Sequence, residues 1–169
     1  MSKKSKKQSA TLPLLELLNS STPIFLDRNQ GSKRMPTLLS EAGITVRWHA
    51  GEGFPSTETD DDSWIRTVAA KGYIIVTSDK GIETDPINRL AVIESKARVF
   101  ILDENNSRAI HWAAAIIVSR ERIYEAVRDN EGPFYMNIVK KSTSMVYRFR
   151  VPEMESAESA TGPVTAGPS

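Results

Sequence analysis

The run Tyr73-Ile74-Ile75-Val76 constrains this chain most. It is apolar at every position, too uniform for a strand with one face in water, so the strand it forms must be covered on both sides. The run leads through Thr77 and Ser78 to Asp79, and a second run, Ile24-Phe25-Leu26, leads directly to Asp27. A buried strand that finishes in an aspartate has to bring that carboxylate to water or to a partner, because an isolated buried charge is very costly.

Short β-branched runs alternate with helical patterns along the chain. Ile24 to Leu26 reads as a strand, Lys33 to Ala42 as a helix stopped by Gly43, and Ile44 to Trp48 as a second strand. From Asp61, the residues Trp64, Ile65, Val68 and Ala69 recur at helical spacing until Gly72. Pro86 opens a helix that runs through Glu94, and Val99 to Leu102 is the fourth strand. A long helix from about Ser107 to Arg128 offers Ile110, Ala113, Ala114, Ile117, Val118, Ile123 and Val127 for burial. After Gly132-Pro133, the segments Phe134 to Val139 and Met145 to Phe149 alternate as the two strands of a hairpin.

This order predicts an α/β fold, a three-layer α/β/α sandwich with a mainly parallel central sheet plus a C-terminal β-hairpin. Residues 1–11 read as a disordered basic tail, 12–151 as one domain and 152–169 as a second disordered tail, since neither end has apolar periodicity. With 169 residues, 40% apolar and 25% charged, one core is expected.

Composition removes several classes of chemistry. The chain has no cysteine, so disulfides and thiolate zinc sites are excluded, and His49 and His111 are too few for a histidine zinc centre. No glycine-rich GxGxxG or GxxxxGK[ST] loop is present to cradle a nucleotide. No apolar run approaches the roughly 20 residues that cross a bilayer, and Pro13, Glu16 and Asn19 interrupt the stretch behind the basic start. The reading is a cytoplasmic protein with no membrane contact.

The net charge of +1 hides an uneven distribution. Without the four lysines of the first seven residues and the three glutamates after residue 151, basic and acidic residues are equal in number. Within that neutral body, residues 50–63 carry Glu52, Glu58, Asp60, Asp61 and Asp62 with no basic residue, and residues 133–150 carry Lys140, Lys141, Arg148 and Arg150 with no acidic one. An acidic pole beside a basic pole suits a cation site next to a polyanion, and ordinary solvated faces give the same pattern.

In open parallel sheets the functional crevice lies beyond the carboxyl ends of the strands, where Asp27 and Asp79 both fall. A hard divalent cation is one partner that such carboxylates accept. Backbone N–H groups of a following turn are another. Asp61 stands at the start of a helix, where free N–H groups favour a carboxylate, so it reads either as a third member of the cluster or, like Asp60 and Asp62, as a cap.

Three segments, Phe25-Leu26-Asp27-Arg28-Asn29, Asp61-x-x-Trp64-Ile65 and Val76-Thr77-Ser78-Asp79-Lys80, resemble the successive motifs of PIN-like domains, especially the compact branch that includes VapC-type toxins. The resemblance spans roughly residues 23–103. It implies a metal-dependent ribonuclease in which Asp27, Asp61 and Asp79 form the catalytic set and bind Mg2+ or Mn2+. Asn29 would be a polar helper. It also implies an RNA substrate and an antitoxin protein that covers the acidic site, while the long apolar helix from Ser107 offers an interface for a homodimer. Many PIN nucleases have a further acid between the first and later aspartates; here only Glu41 and Glu52 lie there, and neither is assigned. Three carboxylates suffice for one ion, whereas a two-ion site would need more.

Arg28, Asn29, Arg34 and Lys80 follow the strand-end motifs and are candidate substrate contacts, while Lys33 reads as helix-surface charge. Thr77 and Ser78 offer hydroxyls to orient a ligand, although a hydroxyl before an aspartate in a strand-end turn is ordinary; Asp103 reads as a turn residue, Trp64 as core, and His111 and Trp112 as packing. A PIN-like fold without nuclease activity, binding RNA or protein through its basic hairpin, is the alternative function. A phosphate-accepting receiver fits poorly, because Leu26 and Arg28 flank a lone Asp27 where a receiver needs an acidic pair.

Overall fold

The computed structural model describes residues 22–28, 34–49, 59–103 and 108–154. Residues 1–11 of the first predicted tail, residues 155–169 of the second, Asn29, Lys33, Glu52, Glu58 and residues 104–107 lie outside the described residues, whereas residues 152–154 of the second tail are described. The elements in chain order are β1 (Ile24–Leu26), α1 (Arg34–Glu41), β2 (Val46–Trp48), α2 (Asp61–Ala70), β3 (Ile74–Thr77), α3 (Gly81–Thr84), α4 (Pro86–Ser95), β4 (Arg98–Leu102), α5 (Ala109–Asp129), β5 (Phe134–Lys141) and β6 (Ser144–Arg150).

They build a six-stranded sheet in the order β2-β1-β3-β4-β5-β6. The first five strands run parallel, and β6 returns antiparallel along β5 as the expected hairpin. The uniform apolar strands are covered on both faces, as their composition requires: every residue of β1 and β3 is buried.

One face packs Ile24, Leu26, Ile74, Val76, Phe100 and Met136 against α1 and α5. The other packs Phe25, Ile75, Val99, Ile101 and Tyr135 against α2, α3 and α4. Alternate side chains of one strand therefore serve two different cores. Among the described residues, no helix is long and apolar enough to cross a membrane.

Local chemistry ends the helices where the sequence indicates. Gly43 and Gly72 both adopt positive φ, at +79° and +75°, just past α1 and α2. Asp85 caps α4 by accepting from the Ile87 and Asn88 backbone N–H groups at 2.8 and 3.1 Å, with Pro86 as the first helical residue. The short helix α3 is not legible in the sequence, since a single turn of Gly-Ile-Glu-Thr has no periodicity to read.

The long helix α5 differs from expectation in which face it buries. Ala113, Ile116, Ser119, Ile123, Tyr124 and Ala126 are inside, whereas Ile110 and Val118 are exposed. The buried stripe includes polar Ser119, whose hydroxyl accepts from Tyr147 on β6 at 3.0 Å, so a hydrogen-bonded serine displaces an apolar residue from the stripe.

Candidate functional site

The strand order reverses at β1, which connects to β2 on one side and has β3 on the other. This is the topological switch point where parallel sheets open a crevice. Asp27 leaves the end of β1 and Asp79 lies two residues beyond β3, so the topology brings both to that crevice.

The β1–β3 ladder continues one residue past the strand, through the Asp27 N–H donating to the Val76 carbonyl at 3.2 Å. That extension sets Thr77 beside Asp27. The Thr77 hydroxyl donates to Asp27 Oδ2 at 2.9 Å and accepts from the Asp79 backbone N–H at 2.9 Å. One fully buried hydroxyl thus orients the Asp27 carboxylate and anchors the Asp79 backbone, so Thr77 positions the aspartates rather than serving as a turn residue or a ligand contact. A hydroxyl in the register opposite the first aspartate is the signal that would have found it.

Both aspartates also accept from backbone. Asp27 Oδ1 takes the Arg28 N–H, and Asp79 Oδ1 takes the Gly81 N–H at 2.7 Å. These bonds are the turn-initiating kind, and they coexist with the convergence at the crevice. A Cβ at position 81 would lie 3.0 Å from Asp79 Oδ1. Gly81→Ala is therefore expected to displace that carboxylate by a few tenths of an ångström and to lower the activity proposed below several-fold, with the melting temperature nearly unchanged.

Asp61 begins α2, but the cap position belongs to Asp60, which makes no side-chain cap bond. The Asp61 side chain does something else: its Oδ1 accepts from the Arg28 guanidinium at 2.7 Å and from Trp64 Nε1 at 2.9 Å. Trp64 is the core residue expected, fully buried and stacked 5.6 Å from Phe25, and its indole N–H reaches the site as well. Among the described residues, no three acidic or histidine side chains converge closely enough to enclose one cation as they stand.

The electrostatics mark Asp27 as the centre of the cluster. Burial pushes its carboxyl above the ordinary value, the bonds from Thr77 and the Arg28 backbone oppose that, and the negative charges of Asp61 and Asp79 add to it. His49, just past β2, is 3% exposed, and burial followed by the Arg28 charge lowers its pKa to about 4, so the imidazole is neutral at physiological pH. Its Nε2 lies 3.8 Å from Asp27 Oδ1.

The candidate substrate contacts fare differently. Arg28 is half-buried at the cluster and bound to Asp61. Arg34 is exposed as the first residue of α1, and Asn29 lies outside the described residues. Lys80 pairs with Asp103 at 2.7 Å, joining the ends of the β3 and β4 segments, so Asp103 has an ion-pair partner that its reading as a turn residue did not include. His111 is exposed and Trp112 packs against the core beneath α5.

Comparison with known proteins agrees with this layout. The family model described as "PIN like domain" matches residues 23–104, a span that holds β1 to β4 and all three aspartates. A Mycobacterium tuberculosis protein named "Putative ribonuclease VapC45" is 33% identical over 118 residues, covering 68% of this chain and 84% of that relative. No solved structure matches significantly. The parallel sheet, the aspartates at its switch point and these similarities together place the chain in the PIN-like domain family.

Proposed function

We propose that this protein is a metal-dependent ribonuclease that hydrolyses RNA phosphodiesters in the cytoplasm and acts as the toxin of a toxin–antitoxin pair. The observation that carries the reading is the buried Asp27, held by Thr77 and repelled by two neighbouring carboxylates. Carboxylate oxygens gathered at one crevice, with Arg28 balancing only one of the three charges, are the donor set that a hard cation such as Mg2+ or Mn2+ prefers. The similarity to a protein named as a ribonuclease of the VapC type supports the substrate class and the antitoxin partner.

Asp27 and Asp79 would hold the ion, because the shared Thr77 hydroxyl fixes both relative to the sheet. Asp61 would join them from α2, directly or through water. When bound, the cation lowers the pKa of a water, orients the phosphate and offsets charge growing on its oxygens. The protein's own part is to keep the carboxylates rigid and to hold the Arg28 guanidinium beside them on Asp61, from where it would contact the phosphate. Arg34 would extend the phosphate contacts along the RNA, which makes binding weaken with salt.

A second reading, a catalytically inactive PIN-like module that binds RNA or protein, is favoured by two features: the Arg28 guanidinium pairs with Asp61, and among the described residues no three acidic or histidine side chains stand close enough to enclose one cation. Titration with Mn2+ beside an RNA cleavage assay separates the two. The nuclease binds Mn2+ and cleaves only with it, whereas a binding module holds RNA equally well in chelator.

A further inference from the structure

His49 is part of no motif in the sequence, yet it stands against the centre of the site. Its ring packs edge-on to Phe25 at 5.2 Å and edge-on to Trp64 at 5.3 Å, and those two rings stack on each other. The three form one buried aromatic unit drawn from β1, the end of β2 and α2. Two polar ring atoms of the unit face the carboxylates: Trp64 Nε1 donates to Asp61 at 2.9 Å, and His49 Nε2 faces Asp27 Oδ1 at 3.8 Å.

From this geometry we infer that His49 is a positioning residue for Asp27, presenting an imidazole N–H to the carboxylate from the protein side while Thr77 holds its other oxygen. The inference rests on the metal-nuclease reading for its functional consequence. At 3.8 Å the contact is longer than a direct hydrogen bond, so it acts as an oriented dipole, or through one water, rather than as a fixed bond. Its neighbours leave the ring little freedom: Phe25 and Trp64 are fully buried, and a neutral imidazole with the proton on Nε2 is the form that a carboxylate favours there. The arrangement matches that of groups that orient metal-binding carboxylates from behind, whose loss weakens metal affinity about 10- to 100-fold.

Two substitutions separate positioning from packing. His49→Phe keeps an aromatic ring between Phe25 and Trp64 and removes the N–H, whereas His49→Gln offers an amide N–H near the place of Nε2. Calorimetric titration of the full chain with Mn2+ is expected to show affinity about 10- to 100-fold weaker for His49→Phe and within about threefold of wild type for His49→Gln. A folded His49→Phe with wild-type affinity overturns the inference, as does equal loss in both variants.

If the wild type binds no Mn2+, the nuclease reading fails on its own, and thermal melting in chelator decides the contact. The melting shift caused by His49→Phe is then expected to shrink by at least half in an Asp27→Asn background. Additive shifts overturn the His49–Asp27 link.

Discussion

Asp27→Asn is expected to lower Mn2+-dependent RNA cleavage about 1000-fold or more, equivalent to ~4 kcal/mol of lost transition-state stabilisation. The amide preserves the shape of the carboxylate between Thr77 and the Arg28 backbone but removes a charge that couples to Asp61 and Asp79. Single-turnover cleavage at saturating Mn2+ measures the loss, and retention of activity in the folded variant would refute the site.

The same substitution has a signature in stability. Burial raises the Asp27 pKa in the folded protein, so the folded state binds its proton more tightly than the unfolded chain does. Such a group contributes stability below its unfolded pKa and loses it as pH rises through the folded value. Relative to wild type, Asp27→Asn should therefore gain stability in chelator as pH rises above the ordinary carboxylate range, read by urea melts at a series of pH values. A variant that loses both activity and stability in parallel would indicate a structural rather than a functional aspartate.

The largest effect on folding is expected at Gly132, between α5 and β5. Its φ is +90°, and a Cβ there would lie 2.3 Å from the Lys96 carbonyl oxygen and 3.1 Å from the Lys96 carbonyl carbon. That neighbour is backbone, at the end of α4, in a residue itself left-handed at φ 52°. Neither chain can yield by rotating a side chain. Gly132→Ala is expected to cost about 4 kcal/mol or more, a large fraction of the 5–15 kcal/mol typical of a domain. Gly72→Ala is the control, because Gly72 has positive φ but nothing within 4 Å of the added Cβ. It should cost only about 1 kcal/mol, and equal costs at the two positions would show that crowding at Lys96 is unimportant.

How much of this was legible depends on the kind of signal. Strands such as Ile74–Thr77 and helices such as Asp61–Ala70 follow from local periodicity, and their ends from Gly43, Gly72 and Pro86, so the α/β sandwich and its hairpin are readable from the chain. The choice of buried face on α5 was only half legible. A serine inside and Val118 outside depend on Tyr147, contributed from 28 residues away. At the site, Asp27 and Asp79 were visible because buried strands end in them. Thr77, His49 and the Arg28–Asp61 pair were not, since each depends on which strand or helix lies beside which.

The amino-acid sequence by itself determined the element pattern, the parallel character of the sheet and the two aspartates at its carboxyl edge, because hydrophobic periodicity and the cost of burying charge are local properties. Only the tertiary structure decided what each carboxylate does. It set Asp27 deep against Thr77 and His49, turned Asp61 to Arg28 and Trp64, and tied Lys80 to Asp103. Those contacts join residues up to 50 positions apart, and their geometry follows from strand register and helix packing, which no local pattern encodes.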